Sequence, residues 1–295
     1  MRYVLAFCIG VQLSAGANPA DAPAPLSALA QASANGDIRL VKELIEKGES
    51  AEDSTALIEA IDHGHMDIYR YLIKKGANVN MPRIDREWMT PLNAAIKKGR
   101  VTDVFEVLDD GADVKLKEPL FTAVFYGNIP ALHELVYRGA DINRVDEQGL
   151  SYLFHAIEYG HRQMALDILA IGKWINCKRH GIRLEGWRPC FTTVLQSAIK
   201  QRWDDVSIGM IEAGADVNEA DPDGVTPLIL ACSEGMTETA LVLIDKGADI
   251  HRSDNTGMTA LIFATQRGLT EVVKKIESIG AKVEAGSACA ESSCS

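Results

Sequence analysis

Thr226-Pro227-Leu228-Ile229-Leu230-Ala231-Cys232-Ser233-Glu234-Gly235, followed by Gly247-Ala248-Asp249-Ile250, decides the fold, because its words return along the whole chain. A Gly-Ala-Asp/Asn-Val/Ile-Asn segment recurs with a Thr-Pro-Leu-like triplet ahead of it. Taking the leucine of each triplet as marker gives Leu29, Leu57, Leu92, Leu120, Leu153, Leu195, Leu228 and Leu261, which are eight units at spacings of 28, 35, 28, 33, 42, 33 and 33 residues. Self-similarity at such a period describes stacked units, each of which buries its apolar face only against its neighbours.

Each word has a physical reason. Thr caps the free amides of a first helix, and Pro is tolerated in the first turn, where its missing N–H has no partner anyway. The leucine and a following small pair, such as Ala94-Ala95 or Ala231-Cys232, face the core and let neighbouring helices approach. Gly99, Gly127, Gly160 and Gly235 are expected to close the first helix in the left-handed conformation. A second helix follows, with apolar residues at helical spacing in Val104, Leu108, Leu132, Leu135, Val136, Leu241, Val242 and Ile244. A second glycine, Gly111, Gly139 or Gly247, ends it, and the Ala-Asp-Val-Asn segment turns out as a finger.

This pattern resembles the ankyrin repeat family over nearly everything from Leu26 to Glu284. The resemblance implies an all-α solenoid of about eight helix-turn-helix units with short β-hairpin fingers. It also implies a protein-binding module, with contact residues on the finger tips and on the exposed end of each first helix. Departures are local. The 28-residue spacings leave the links before Leu57 and Leu120 without a full finger, and the longer ones add residues before Leu92 and Leu195. Gly172-Lys173-Trp174-Ile175-Asn176 replaces the expected finger word, Trp88 replaces a finger glycine, and Arg202 stands where a first-helix glycine belongs.

The start of the chain reads as an export signal. Arg2, an apolar run from Val4 to Leu13 and the small residues Ala15-Gly16-Ala17 form the charged, apolar and cleavage regions of a signal peptide over residues 1–17. A bulky Phe7 ahead of Cys8 argues against lipidation. Residues 18–25 are a linker, 26–284 the repeat domain and 285–295 a tail. The formal net charge of -11 makes nucleic acid and anionic membranes poor partners. In an oxidising compartment, loop cysteines close in sequence pair first, Cys177 with Cys190 and Cys289 with Cys294. Cys232 lies in an apolar helix and is read as a buried small hydrophobe. The expected compartment is the bacterial periplasm.

Motifs for chemistry are missing. His133-Glu134 lacks the second histidine of a zinc-protease word, and His63-Gly64-His65 lacks a third ligand. Asp113, Asp141, Asp216 and Asp249 are encoded by the finger word and do not converge. No catalytic residue, metal or cofactor is assigned, and the chain is read as a non-enzymatic binder, monomeric when free.

Carried over residue by residue, the helix-end positions include Lys97-Lys98, Phe125-Tyr126 and Glu158-Tyr159. Aromatic residues there supply the contact area typical of interface anchors. Phe125 has a second reading, packing against the shortened finger nearby. Arg86, Trp88 and Met89 are finger positions, and the insertion 177–190 adds Arg179, Arg183 and Trp187 in a basic loop. A disulfide closing that loop would contribute about 3 kcal/mol.

Export, missing chemistry and the broad concave surface that the resemblance implies suit an inhibitor or immunity protein that neutralises an antibacterial effector, such as a cell-wall or lipid hydrolase. A scaffold or protective partner of an envelope enzyme, for example in oxidative stress, is the alternative. A host-directed ankyrin effector and an enzyme built on a helical solenoid are further readings, the last with no motif behind it.

Overall fold

The computed structural model describes residues 26–83, 89–116, 118–145, 150–171 and 194–291. The chain divides into two compact units, Met1–Asp141 and Ile142–Ser295. Sixteen helices occur among the described residues.

In the first unit, first helices α1 (Ala28–Asn35), α3 (Ser54–His63), α5 (Pro91–Lys98) and α7 (Pro119–Tyr126) alternate with second helices. These are α2 (Ile38–Glu46), α4 (Met66–Lys74), α6 (Val101–Asp109) and α8 (Ile129–Tyr137). The second unit repeats the order. Its first helices are α9 (Tyr152–Glu158), α11 (Val194–Lys200), α13 (Pro227–Glu234) and α15 (Ala260–Arg267). Its second helices are α10 (Arg162–Ile171), α12 (Asp204–Glu212), α14 (Thr237–Asp245) and α16 (Thr270–Glu291). Most of these helices are too short to persist alone in water, so stacking holds them. Within each unit first helix packs on first helix, and within each pair the two helices pack on one another.

Sequence words become contacts as expected. The Thr90 and Thr226 hydroxyls accept from the N–H of Asn93 and Ile229, both at 3.2 Å, and Pro91, Pro119 and Pro227 lie in the first turn. Seven marker leucines are buried, from Leu29 to Leu228. Leu261 is half-buried, because no further first helix follows α15 among the described residues. Gly99, Gly127, Gly160 and Gly235 have φ of 71°, 69°, 81° and 76°. Arg202 occupies the equivalent place with φ 58°, a left-handed backbone that a side chain makes costly.

Two side-chain ladders set the register between repeats. The residue after a first-helix glycine donates to an end carbonyl of the preceding first helix: Arg100 Nη2 to Ile61 O at 2.6 Å, Asn128 Nδ2 to Ile96 O at 2.9 Å. Both carbonyls already accept from the closing glycine N–H of their own helix, at 3.1 and 3.0 Å, and gain a second donor from the next repeat. Gly64 is required twice over. Its φ is 83°, and a Cβ there would lie 2.0 Å from the Arg100 guanidinium. The second ladder joins the fingers. Asn80 donates to Gly111 O (3.1 Å) and accepts from Asp113 N (2.8 Å), and Asn218 does the same to Gly247 O (3.2 Å) and Asp249 N (2.8 Å). In the second unit antiparallel bridges join Val145 to Ser151 and Ser253 to Thr259.

Helix α16 continues to Glu291, past Glu284, so the residues read as a tail begin in helix. Residues 1–25, with the signal peptide and linker, lie outside the described residues, as do Arg86, Trp88, Cys294 and the insertion carrying Cys177, Arg179, Arg183, Trp187 and Cys190. The backbone of Cys289 falls within α16.

Candidate partner-binding surface

In the first unit, α7 ends in a connected aromatic series. Phe121 is buried at its base, Phe125 stacks on it with centroids 6.4 Å apart and planes 21° apart, and Tyr126 meets Phe125 edge-on at 4.8 Å. Phe125 is half-buried and Tyr126 is 38% exposed. Phe125 thus packs on the ring one turn back along its own helix and supports an exposed tyrosine. Aromatic side chains fixed by their neighbours lose little entropy when a partner covers them.

One repeat earlier, Lys97 is half-buried and Lys98 is exposed. The Lys98 ammonium lies 3.6 Å from Asp62 Oδ1 at the end of α3. Beside Asp62 stands a group that sequence reasoning missed. Glu59, 7% exposed, accepts from Arg83 Nη1 at 2.6 Å, while His63 Nδ1 lies 3.4 Å from its other oxygen. This pair joins the finger to α3, helped by the Ser54 hydroxyl donating to Pro82 O at 3.0 Å. A signal was present, since Glu59 holds the core-facing place that Ala94 holds in the next repeat.

Met89 corrects the sequence reading. It is 1% exposed, buried just ahead of the Thr90 cap, and offers no contact surface. The finger backbone returns there, with Arg83 N donating to Met89 O at 2.9 Å, and carries the side chain inward.

In the second unit, Glu158 is exposed and Tyr159 half-buried at the end of α9. Tyr159 stacks on His155 (5.7 Å, 18°) and meets the His161 ring at 6.4 Å; His155, 3% exposed, also meets Phe154 edge-on. Histidine was missed here because its place in the repeat is one that Thr122 and Ser197 also occupy, with no period to mark it.

Finger carboxylates serve the backbone. Asp113, Asp216 and Asp249 accept from Lys115, Asn218 and His251 N–H at 2.8, 2.9 and 2.9 Å. Such turns explain acidic residues at these places without any reaction. Cys232 is a buried free thiol, pushed up to about 12 by burial, so it is held in the protonated, unreactive form. Among the described residues no group of three or more His, Cys, Asp or Glu could hold a metal ion, and no helix is long and apolar enough to cross a membrane.

Paired helices, capped by Thr and closed by glycine, with polar fingers between them, define a helical repeat protein that presents side chains at its helix ends. Models of ankyrin repeats match residues 29–118 and 194–286 in a three-copy form and 120–168 in a many-copy form, and the chain belongs to the ankyrin repeat family. Among relatives, a transient receptor potential cation channel subfamily A member 1 homologue of Caenorhabditis elegans is 30% identical over 144 residues, which are 48% of this chain and 11% of the relative. Ankyrin repeat protein nuc-2 of Neurospora crassa is 31% identical over 119 residues, 38% of this chain and 11% of the relative. A putative ankyrin repeat protein of Rickettsia felis is 28% identical over 126 residues, 38% and 41% of the two chains. The chain thus spans about a tenth of the first two relatives.

Proposed function

We propose that this ankyrin repeat protein is a non-enzymatic inhibitor, exported to the periplasm, that neutralises a secreted antibacterial hydrolase by binding it as an immunity protein. Ankyrin repeats supply a protein-binding module. The observation that carries the reading furthest is the Phe121–Phe125–Tyr126 series, which places an exposed, pre-organised aromatic at a helix end. Such residues dominate binding energy where they become buried. The signal-like start, Arg2 followed by the Val4–Leu13 run and Ala15-Gly16-Ala17, supports export.

The test is co-purification from periplasmic extract with wild-type protein and with Tyr126→Ala, followed by mass spectrometry and an activity assay of whatever only the wild type retains. A hydrolase silenced by stoichiometric addition supports the reading. A retained enzyme that keeps or gains activity sinks inhibition and leaves a protective scaffold.

A further inference from the structure

We infer that the neighbouring ends of α5 and α7 recognise a protein segment that presents a carboxylate beside an apolar side chain. The inference rests on the protein-binding reading above and names the chemistry of the partner at that surface.

The two helix ends are in register. Asn128, directly after Gly127, donates to Ile96, three residues before Gly99, which fixes the end of α7 against the end of α5. Lys97 and Phe125 therefore hold the same place on adjacent packed helices, as do Lys98 and Tyr126, with axes roughly 10 Å apart. Lys98 is turned the other way, toward Asp62 on α3, and its charge is partly answered there. That contact also shows that side chains at these places span one repeat. Lys97 forms no ion pair among the described residues.

The result is an exposed aromatic ring at one helix end and, at the end of the helix packed beside it, a lysine with no ion pair among the described residues, on a protein whose formal net charge is -11. An apolar side chain covering Tyr126 would displace water from both rings, and a carboxylate about one side chain away would meet Lys97 in partly desolvated surroundings. A basic segment would meet Lys97 as a like charge, which disfavours it. A single free lysine is too little for a phosphate backbone, which needs several cations in a row.

The experiment is selection of a random peptide display library on the full chain, with counter-selection on Tyr126→Ala. Selected peptides are then measured by fluorescence anisotropy, each beside a version with its acids changed to lysine. The expected result is an excess of Asp or Glu next to apolar residues. Affinity should fall about tenfold with Lys97→Glu and less with Lys97→Gln, and the lysine versions should bind Lys97→Glu better than wild type. Peptides that depend on Tyr126 yet carry no acidic excess, or ignore Lys97→Glu, overturn the inference and leave the protein-binding reading intact. If no peptide depends on Tyr126, both fall.

Discussion

The Tyr69 hydroxyl donates to Asp110 Oδ2 at 2.9 Å, so that a fully buried tyrosine of α4 is tied to the residue that caps α6. The link crosses one repeat and lets a large ring fill the core with its polar end satisfied.

Tyr69→Phe keeps the ring and removes that bond, and should cost about 1 kcal/mol in urea unfolding. Burial and the adjacent Asp110 raise the hydroxyl's pKa above its ordinary 10.0. The neutral form is favoured in the folded state, so its stabilisation is complete below pH 10.0 and is lost as pH rises above that, where the unfolded chain ionises first. Tyr69→Phe should therefore lose less stability than wild type between neutral pH and pH values above 10. Equal losses in the two proteins would show that other groups govern the alkaline limb.

Gly64 and Gly99 close equivalent helices but differ in surroundings. A Cβ at Gly64 meets Arg100, whereas nothing lies within 4 Å of one at Gly99. Gly99→Ala should cost about 1 kcal/mol, from the left-handed backbone alone. Gly64→Ala should cost about 1 kcal/mol more, since it also displaces the Arg100 bond to Ile61. Arg202→Gly should act in the opposite direction and stabilise by about 1 kcal/mol, because it relieves φ 58° at a side-chain-bearing residue. Denaturation midpoints of the three variants decide the order.

Tyr126→Ala should weaken partner binding by about 2 kcal/mol in titration calorimetry while circular dichroism stays unchanged, because its ring is 38% exposed at the helix end. Phe125→Ala should reduce both affinity and stability, since it also supports Tyr126 and packs on Phe121. A Phe125→Ala variant that loses stability but no affinity would confine that ring to packing.

Cys232 should resist alkylation in the native state and react only at the rate of unfolding, because it is fully buried and held protonated. Non-reducing peptide mapping of exported protein should join Cys177 to Cys190 and leave Cys232 reduced. A disulfide at Cys232 would require the α13 core to open.

Cleavage after Ala17 should leave Asn18 as the first residue of the periplasmic form, read by N-terminal sequencing. A product that begins at Met1 and stays in the cytoplasm would remove export from the proposed function.

What the chain's sequence determined by itself is what acts within one repeat. Thr90 and Thr226 cap, Pro91 and Pro227 start, Gly99 and Gly235 stop, and Leu92 and Leu228 turn inward, all through backbone rules a few residues long. That is why the helix pairs and their order were legible, and why Phe125-Tyr126 could be singled out at a helix end. Only the tertiary structure decided what a side chain meets across the gap to the next repeat. Met89 carries a finger position but lies in the core, Lys98 turns to Asp62 and leaves Lys97 alone, and Glu59 is buried because Arg83 reaches it from a finger 24 residues away. Those partners are set by packing between repeats, and the repeated words are silent about them because they encode each unit's backbone and not its neighbour's side chains.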